Sequence, residues 1–394
     1  MQRGSNANGV RRYNERLVLA TIRRLNGASK ADLSKSTGLS PQAMVRIVED
    51  LERDGLLLRA GKRMGGLGQP SVIYKINGEN GYTIGVEIGR HRLTAVLLNF
   101  DGVVLATHGR AMAFPKLATI IAEVRGFAEA QLSSLTASQR ASFLGIGIAM
   151  PWFLGEWQKE IGISAEQARE WQQADVEETF RSGLDCPIFF ENDGNAGALA
   201  ELLCGVGLSL NNYLYCHLGT FVGGGLILGG QIQTGRHGNA AALASMPVPG
   251  RGGKGHDYLL HRASLYRFES LLRDAPLRDG ASPSMVEFLE GHPNMAQVWI
   301  EECADALAFA VIGANSLLDL DAIVLNGALP DAVIDRLIEV LRQRIRRDAP
   351  RDFFEPVLLR GRMGEIAPAV GAGLLPLHAA FSPNLGSLLK GAED

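Results

Sequence analysis

The sequence predicts an α/β chain in which a small winged helix-turn-helix precedes a much larger body of strands and helices. Three observations lead there. Residues 1–77 hold 14 Lys and Arg against 6 Asp and Glu, whereas the remaining 317 hold 25 against 36, so a basic head sits on an acidic body. The apolar spacing changes near Tyr82 from helical to strand-like. At 394 residues, 46% of them hydrophobic, the chain exceeds one core of ordinary size, which predicts two or three domains.

Composition also excludes several classes. The 47 glycines are spread through alternating apolar and polar segments, which favours an ordered chain rich in turns over a disordered one. No apolar run approaches the roughly 18 residues that cross a bilayer, and "MQRGSNANGVRR" lacks the apolar core of a secretory signal, so a cytoplasmic location without membrane contact is expected. Four dispersed cysteines, Cys186, Cys204, Cys216 and Cys303, form no C-x-x-C pair. They are expected to be buried thiols rather than disulfides or zinc ligands.

In the head, "NERLVLATIRRLN" (14–26) places Leu17, Val18, Ile22 and Leu25 on one helical face. Ser29 is suited to cap a second helix through Thr37, and Ser40-Pro41 supplies the cap and first residue of a third, running to Asp54. There Val45, Val48 and Leu51 are expected inward, with Gln42, Arg46 and Glu49 on another face. Two β-prone runs, 56–59 and 71–76, flank a glycine-rich cationic tip and form the wing. Early side chains of a recognition helix reach base edges, so Ser40, Gln42, Ala43 and Arg46, with Arg63 and Gln69 of the wing, are the candidate contacts to double-stranded DNA. The plainer alternative is a three-helix protein-interaction module whose arginines are only solvated.

In the body, "YTIGVEI", "RLTAVLLNF" and "VVLATHGRAM" predict an antiparallel start, with Asp101-Gly102 as a hairpin turn, which is not the Rossmann pattern. A helix near 116–135, the strand "FLGIGIAMP", an irregular tryptophan-bearing stretch and the buried strand "CPIFF" lead to "ENDGNAGALAE". Gly219-Thr220 and Gly223-Gly224-Gly225 then suit either an anion-binding nest or tight hairpin packing. A small-residue helix (294–318), the strand "AIVLNGAL", a helix to Arg347, "PVLLR" and a last helix from Ile366 complete the order.

The ordered combination of winged head, "GVEIG", "END", "LGTFVGGG" and "GNAAALASMPV" resembles the ROK proteins, sugar-responsive repressors and sugar kinases, over nearly the whole chain. The resemblance implies a winged-helix domain (1–78) on a two-lobed, actin-like (ribonuclease H-like) kinase fold (79–394). One lobe would take about 79–191 with the C-terminal helix 365–380, the other about 192–364. A sugar cleft between lobes and a homodimer or tetramer are also implied. Family kinases carry an Asp-x-Gly-Gly-Thr phosphate loop where this chain has Glu87, Gly89, Arg90 and His91. The two bulky residues oppose close backbone approach to phosphate. The family's catalytic aspartate matches Asp193 and a sugar-binding asparagine matches Asn192, whereas Ala242 and Ser245 replace its sugar-binding glutamate and histidine. The family's zinc cysteines are missing, leaving His256 and His261, so no zinc is expected and Tyr258, Leu259 and Leu260 are expected to hold that loop.

Asp193 therefore divides between a general base and a helix cap, and the cap that also accepts a hydroxyl's hydrogen bond is favoured. Trp152 is suited either to stack on a sugar face or to fill the core, and Asn239 is a further polar candidate. The predicted function is a transcriptional regulator, most simply a repressor, acting on a palindromic operator and controlled by a carbohydrate-like effector without cofactor. The alternatives are an ATP-dependent sugar kinase with Asp193 as base, using Gly89, Gly219, Thr220, Gly223 and Gly224 as phosphate loops, and an effector-independent scaffold.

Overall fold

The computed structural model describes residues 7–63, 70–112, 114–152, 154, 158, 162–266, 268, 289 and 291–383. Helix α1 spans Ala7–Arg24, starting earlier than its apolar stripe because the first two turns are largely exposed. Ser29 opens α2 (Lys30–Thr37) through a reciprocal capping box with Asp32, and Ser40 caps α3 (Pro41–Arg53) by accepting the Ala43 N–H at 3.2 Å. The inward face of α3 is Met44, Ile47, Val48 and Leu51, while Val45 is 40% exposed. A spacing of three drifts around a helix that repeats every 3.6 residues, and the 44-47-48-51 set keeps to one side. Leu25, expected inward, lies past the end of α1 and is exposed; Leu19 takes its place. Strands β1 (Leu57–Arg63) and β2 (Ser71–Ile76) pair antiparallel behind α3. The tip between them, with Gln69, lies outside the described residues.

The body repeats one strand plan twice. In the first sheet β3 (Tyr82–Ile88), β4 (Arg92–Asn99) and β5 (Val104–Ala111) form the antiparallel start that the sequence predicts. After α4 (Leu117–Ser134) and α5 (Ala137–Ala141), β6 (Phe143–Ala149) joins parallel to β3. The stretch expected to be irregular contains α6 (Ala165–Gln173), started by a Ser164–Gln167 capping box, and α7 (Val176–Gly183), capped by Asp175. Strand β7 (Ile188–Glu191) completes the order β5-β4-β3-β6-β7.

The second sheet follows α8 (Asp193–Cys204), with β8 (Tyr213–Leu218), β9 (Val222–Leu228) and β10 (Gln231–Gln233) as its antiparallel part. A small hairpin of β11 (Pro247–Pro249) and β12 (His256–Tyr258), then α9 (Leu259–Ala263) and α10 (Pro293–Leu318), precede β13 (Ala322–Gly327). Helix α11 (Asp331–Asp348), β14 (Val357–Arg360) and α12 (Ala367–Phe381) finish the chain, giving β10-β9-β8-β13-β14. Both sheets are mixed and share one order, with parallel strands added beside the first strand of each antiparallel set.

Helix α12 lies on β3, β4 and β6, α8 lies on β8 and β9, and the two helices pack on each other between the sheets. They meet backbone to backbone: a Cβ at Gly371 would stand 1.7 Å from the Ala196 carbonyl oxygen. The head shares a core with this layer, since Val18, Ile22 and Leu51 belong to one buried cluster with Phe100, Tyr215 and Leu374. Arg23 of α1 fastens the joint by donating to the Phe100 and Asp101 carbonyls at 2.9 and 2.8 Å. Among the described residues no helix is long and apolar enough to cross a membrane.

Candidate functional site

The turn from β7 into α8 positions the candidate residues Asn192 and Asp193. Asn192 is extended (φ −66°, ψ 143°) and accepts the Gly194 N–H at 3.0 Å, so Asn192 is the cap. This corrects the assignment of that role to Asp193. Asp193 is the first helical residue, its Oδ1 takes the same N–H at 2.8 Å, and its charge suits the positive helix end. Glu191 braces the turn by accepting from the Asn192 N–H at 2.8 Å and from Asn195 Nδ2 at 2.9 Å. Burial pushes the Glu191 carboxyl up, and those two bonds oppose the shift.

Asp193 lies in the fields of groups from both sheets. Glu87, at the end of β3, is pushed up to about 8 by burial and then by the Asp193 charge, with Arg92 opposing. His217 on β8 is pulled down by burial, against the pull of Asp193. Tyr215 contacts the His217 ring, with its hydroxyl 3.4 Å from Nδ1. Sequence reasoning missed His217 and Phe221; the one signal was a polar ring inside an otherwise apolar strand, "YLYCHL".

The glycines of β9 have a packing role. Gly223, Gly224 and Gly225 pair with His217, Cys216 and Tyr215, and a Cβ at Gly194 would come within 2.3 Å of the Gly224 carbonyl oxygen. Bare backbone on both sides lets α8 settle onto β9 and leaves Asp193 Oδ1 only 3.9 Å from where a Gly223 side chain would begin. Gly219 and Thr220 form the β8–β9 turn, their carbonyls accepting the Leu265 and Tyr266 N–H groups at 3.0 Å each.

At the facing hairpin the Gly89 N–H is engaged by the Arg92 carbonyl at 2.9 Å, and the His91 carbonyl takes the Met112 N–H. Arg90 is only 6% exposed, and its guanidinium carbon lies 4.0 Å from the centre of the Phe221 ring. This side chain spans from the β3–β4 turn of one sheet to the β8–β9 turn of the other. Phe221 in turn meets Tyr266 edge-on at 5.8 Å.

Trp152 donates from Nε1 to the Gly238 carbonyl at 2.8 Å and is half-buried, which joins the segment after β6 to the exposed Asn239. Among the described residues no hydrogen bond links Trp152 to Asn192 or Asp193. In the loop where the family's zinc cysteines would stand, His261 Nδ1 lies 2.6 Å from Asp257 Oδ1, and Leu259 and Leu260 are fully buried. Tyr258, expected to help hold that loop, is 42% exposed because it ends an edge strand at the surface. Among the described residues no group of three or more His, Cys, Asp or Glu is placed to hold a metal ion.

On the head, Gln42 and Arg46 project from α3 into solvent, while the Ser40 hydroxyl is occupied as the cap on Ala43. Arg63 pairs with Asp32 at 3.1 Å, Arg59 with Glu52 at 2.6 Å and Lys30 with Glu49 at 3.0 Å. Arg46 has no such partner among the described residues.

Comparison with known proteins places this architecture. The chain is 26% identical over 372 residues to a protein of Sinorhizobium fredii described as uncharacterized, covering 93% of this chain and 91% of that one. It is 25% identical over 251 residues to the xylose repressor of Bacillus spizizenii, covering 62% of this chain and 63% of the repressor. Among solved structures, a ROK family transcriptional regulator, homolog of the E. coli MLC protein, superposes with a TM-score of 0.64 at 20% identity, over 97% of this chain and 100% of that one. A ROK family glucokinase from Streptomyces griseus, solved with glucose and AMPPNP, gives 0.58 at 23% identity, over 75% of this chain and 99% of the kinase. These two likenesses establish the fold, an α/β architecture with two mixed sheets. The sequence model of the ROK family matches residues 83–378, and the chain belongs to the ROK family.

Proposed function

We propose that the protein is a sugar-responsive DNA-binding regulator of the repressor type, with residues 1–78 as a winged helix-turn-helix and 79–394 as the effector-binding and dimerisation unit. The observation that carries this is the outer face of α3. Gln42 and Arg46 stand free in solvent there, while the neighbouring cations Lys30, Arg59 and Arg63 are held by carboxylates of the head itself. A guanidinium without an internal partner on the third helix is available for a base edge or a phosphate. Arg63 reaches DNA in this reading by exchanging Asp32 for phosphate, and the similarity to a xylose repressor supports the assignment.

The effector would lie between the lobes, against Asn192 and Asp193 from one side and the Trp152–Gly238 bridge with Asn239 from the other. The two turns support a reading without nucleotide. Arg90 occupies the space between them on Phe221, and the Gly89 N–H already has an acceptor. Effector binding would favour one arrangement of the lobes, and so one spacing of the paired heads, on half-sites about one helical turn or a multiple apart. Footprinting across a genome with and without candidate sugars tests the reading, because protected palindromes that respond to one sugar are its expected outcome. The placement of Asp193 at a helix N-terminus in the cleft keeps an ATP-dependent sugar kinase as the second reading. Steady turnover of ATP and a sugar that Asp193→Asn abolishes would replace the first reading with the second.

A further inference from the structure

A cavity of about 250 Å³ lies at the seam between head and body, apart from Asn192 and Asp193. Leu17 and Ala20 of α1 wall it from the head, Leu377 and His378 of α12 and Leu203 of α8 wall it from the layer between the sheets, and Gly230 closes it from the β9–β10 turn. The head, the layer between the sheets and the second sheet thus border one space. Its lining is mostly apolar, and it exceeds the roughly 150 Å³ that suffices for benzene in an engineered apolar cavity. The polar groups around it are unequal. The Thr21 hydroxyl is engaged by the Leu17 carbonyl, and the Arg23 guanidinium by the Phe100 and Asp101 carbonyls. Arg24, also on the lining and exposed to solvent, has no partner among the described residues. Burial pulls His378 down, which disfavours a second positive charge on the lining.

We propose that this seam cavity is a second ligand site, separate from the lobe cleft, that takes a small aromatic carboxylate, its ring among the leucines and its carboxylate on Arg24. The ring supplies rigid apolar bulk for the leucine walls, and the carboxylate supplies a charge-assisted partner for the guanidinium at the rim. An occupant would tie α1 to α12 and to the β9–β10 turn, fixing the angle of the head. That last consequence rests on the regulator reading, whereas binding itself does not.

The test is calorimetric titration of the full chain with benzoate, with benzyl alcohol and acetate as companion probes. Benzoate is expected to saturate one site per chain. Ala20→Leu, which extends a side chain into the cavity, should weaken it at least tenfold, and Arg24→Ala should weaken benzoate about tenfold while leaving benzyl alcohol unchanged (about 1.4 kcal/mol for benzoate). Arg24 is exposed at the end of α1, so its variant reports on the site even if Ala20→Leu disturbs folding. No saturation by benzoate, equal binding of acetate, or an affinity indifferent to Arg24→Ala overturns the proposal. Operator affinity measured in the same samples is a separate readout: if it ignores bound benzoate, the regulator linkage fails and the site stands.

Discussion

The contact between Arg90 and Phe221 brings the two hairpin turns together through a buried cation and a ring, and its strength can be worked out and measured. An exposed cation–π pair contributes about 0.5–1 kcal/mol, and a desolvated one about 2 kcal/mol or more. Arg90 is 6% exposed and 4.0 Å from the ring centre, inside the ~6 Å range, so the upper figure applies. Phe221 also meets Tyr266, so neither single substitution isolates the pair. A double-mutant cycle of Arg90→Ala and Phe221→Ala does, and the coupling energy should be about 2 kcal/mol. The assay is urea unfolding followed by tryptophan fluorescence and by circular dichroism, compared at the transition in which the two probes coincide. Additivity within about 0.5 kcal/mol would refute the idea that this pair joins the turns.

Three further outcomes follow from the structure. Keeping Glu87 neutral stabilises the fold fully below its ordinary 4.5, and that contribution drains away as pH rises to about 8. Glu87→Gln should therefore gain stability over the unmodified protein across that window and level off above it, by several kcal/mol at most at about 1.4 kcal/mol per unit; a pH-independent difference in unfolding midpoint contradicts this. Gly371→Ala drives a methyl group into the Ala196 carbonyl and should cost about 3 kcal/mol or prevent soluble expression, whereas a melting temperature unchanged in calorimetry would show that the helices separate freely. Arg46→Ala should weaken operator binding by about 1–3 kcal/mol in a mobility-shift titration, and unchanged affinity together with an unchanged salt slope removes Arg46 from the interface.

Much of this architecture was legible because its local chemistry is unambiguous. Ser29, Ser40-Pro41 and the switch to strand periodicity at Tyr82 placed α2, α3 and β3 to within about one residue. Misreadings arose where a pattern was short or lacked an apolar face. The 45-48-51 series has a period of three that a helix does not keep, the first turns of α1 are solvated, and helices α6 and α7 were overlooked although Ser164-x-x-Gln167 is a capping box. At the site, Asp193 and Asn192 were identified but the cap was placed on Asp193 one residue too late, because one residue of register is decided by backbone angles that composition does not reveal. Phe221 was invisible, since its importance depends on Arg90, more than a hundred residues away, arriving over its ring.

The crossing of α8 and α12 limits how such a molecule can flex. At Gly371 and Ala196 the two rods touch through peptide atoms, so at that point neither can shift toward the other without a clash. A methyl group added there would have to push the helices apart, and with them the two sheets that each helix carries.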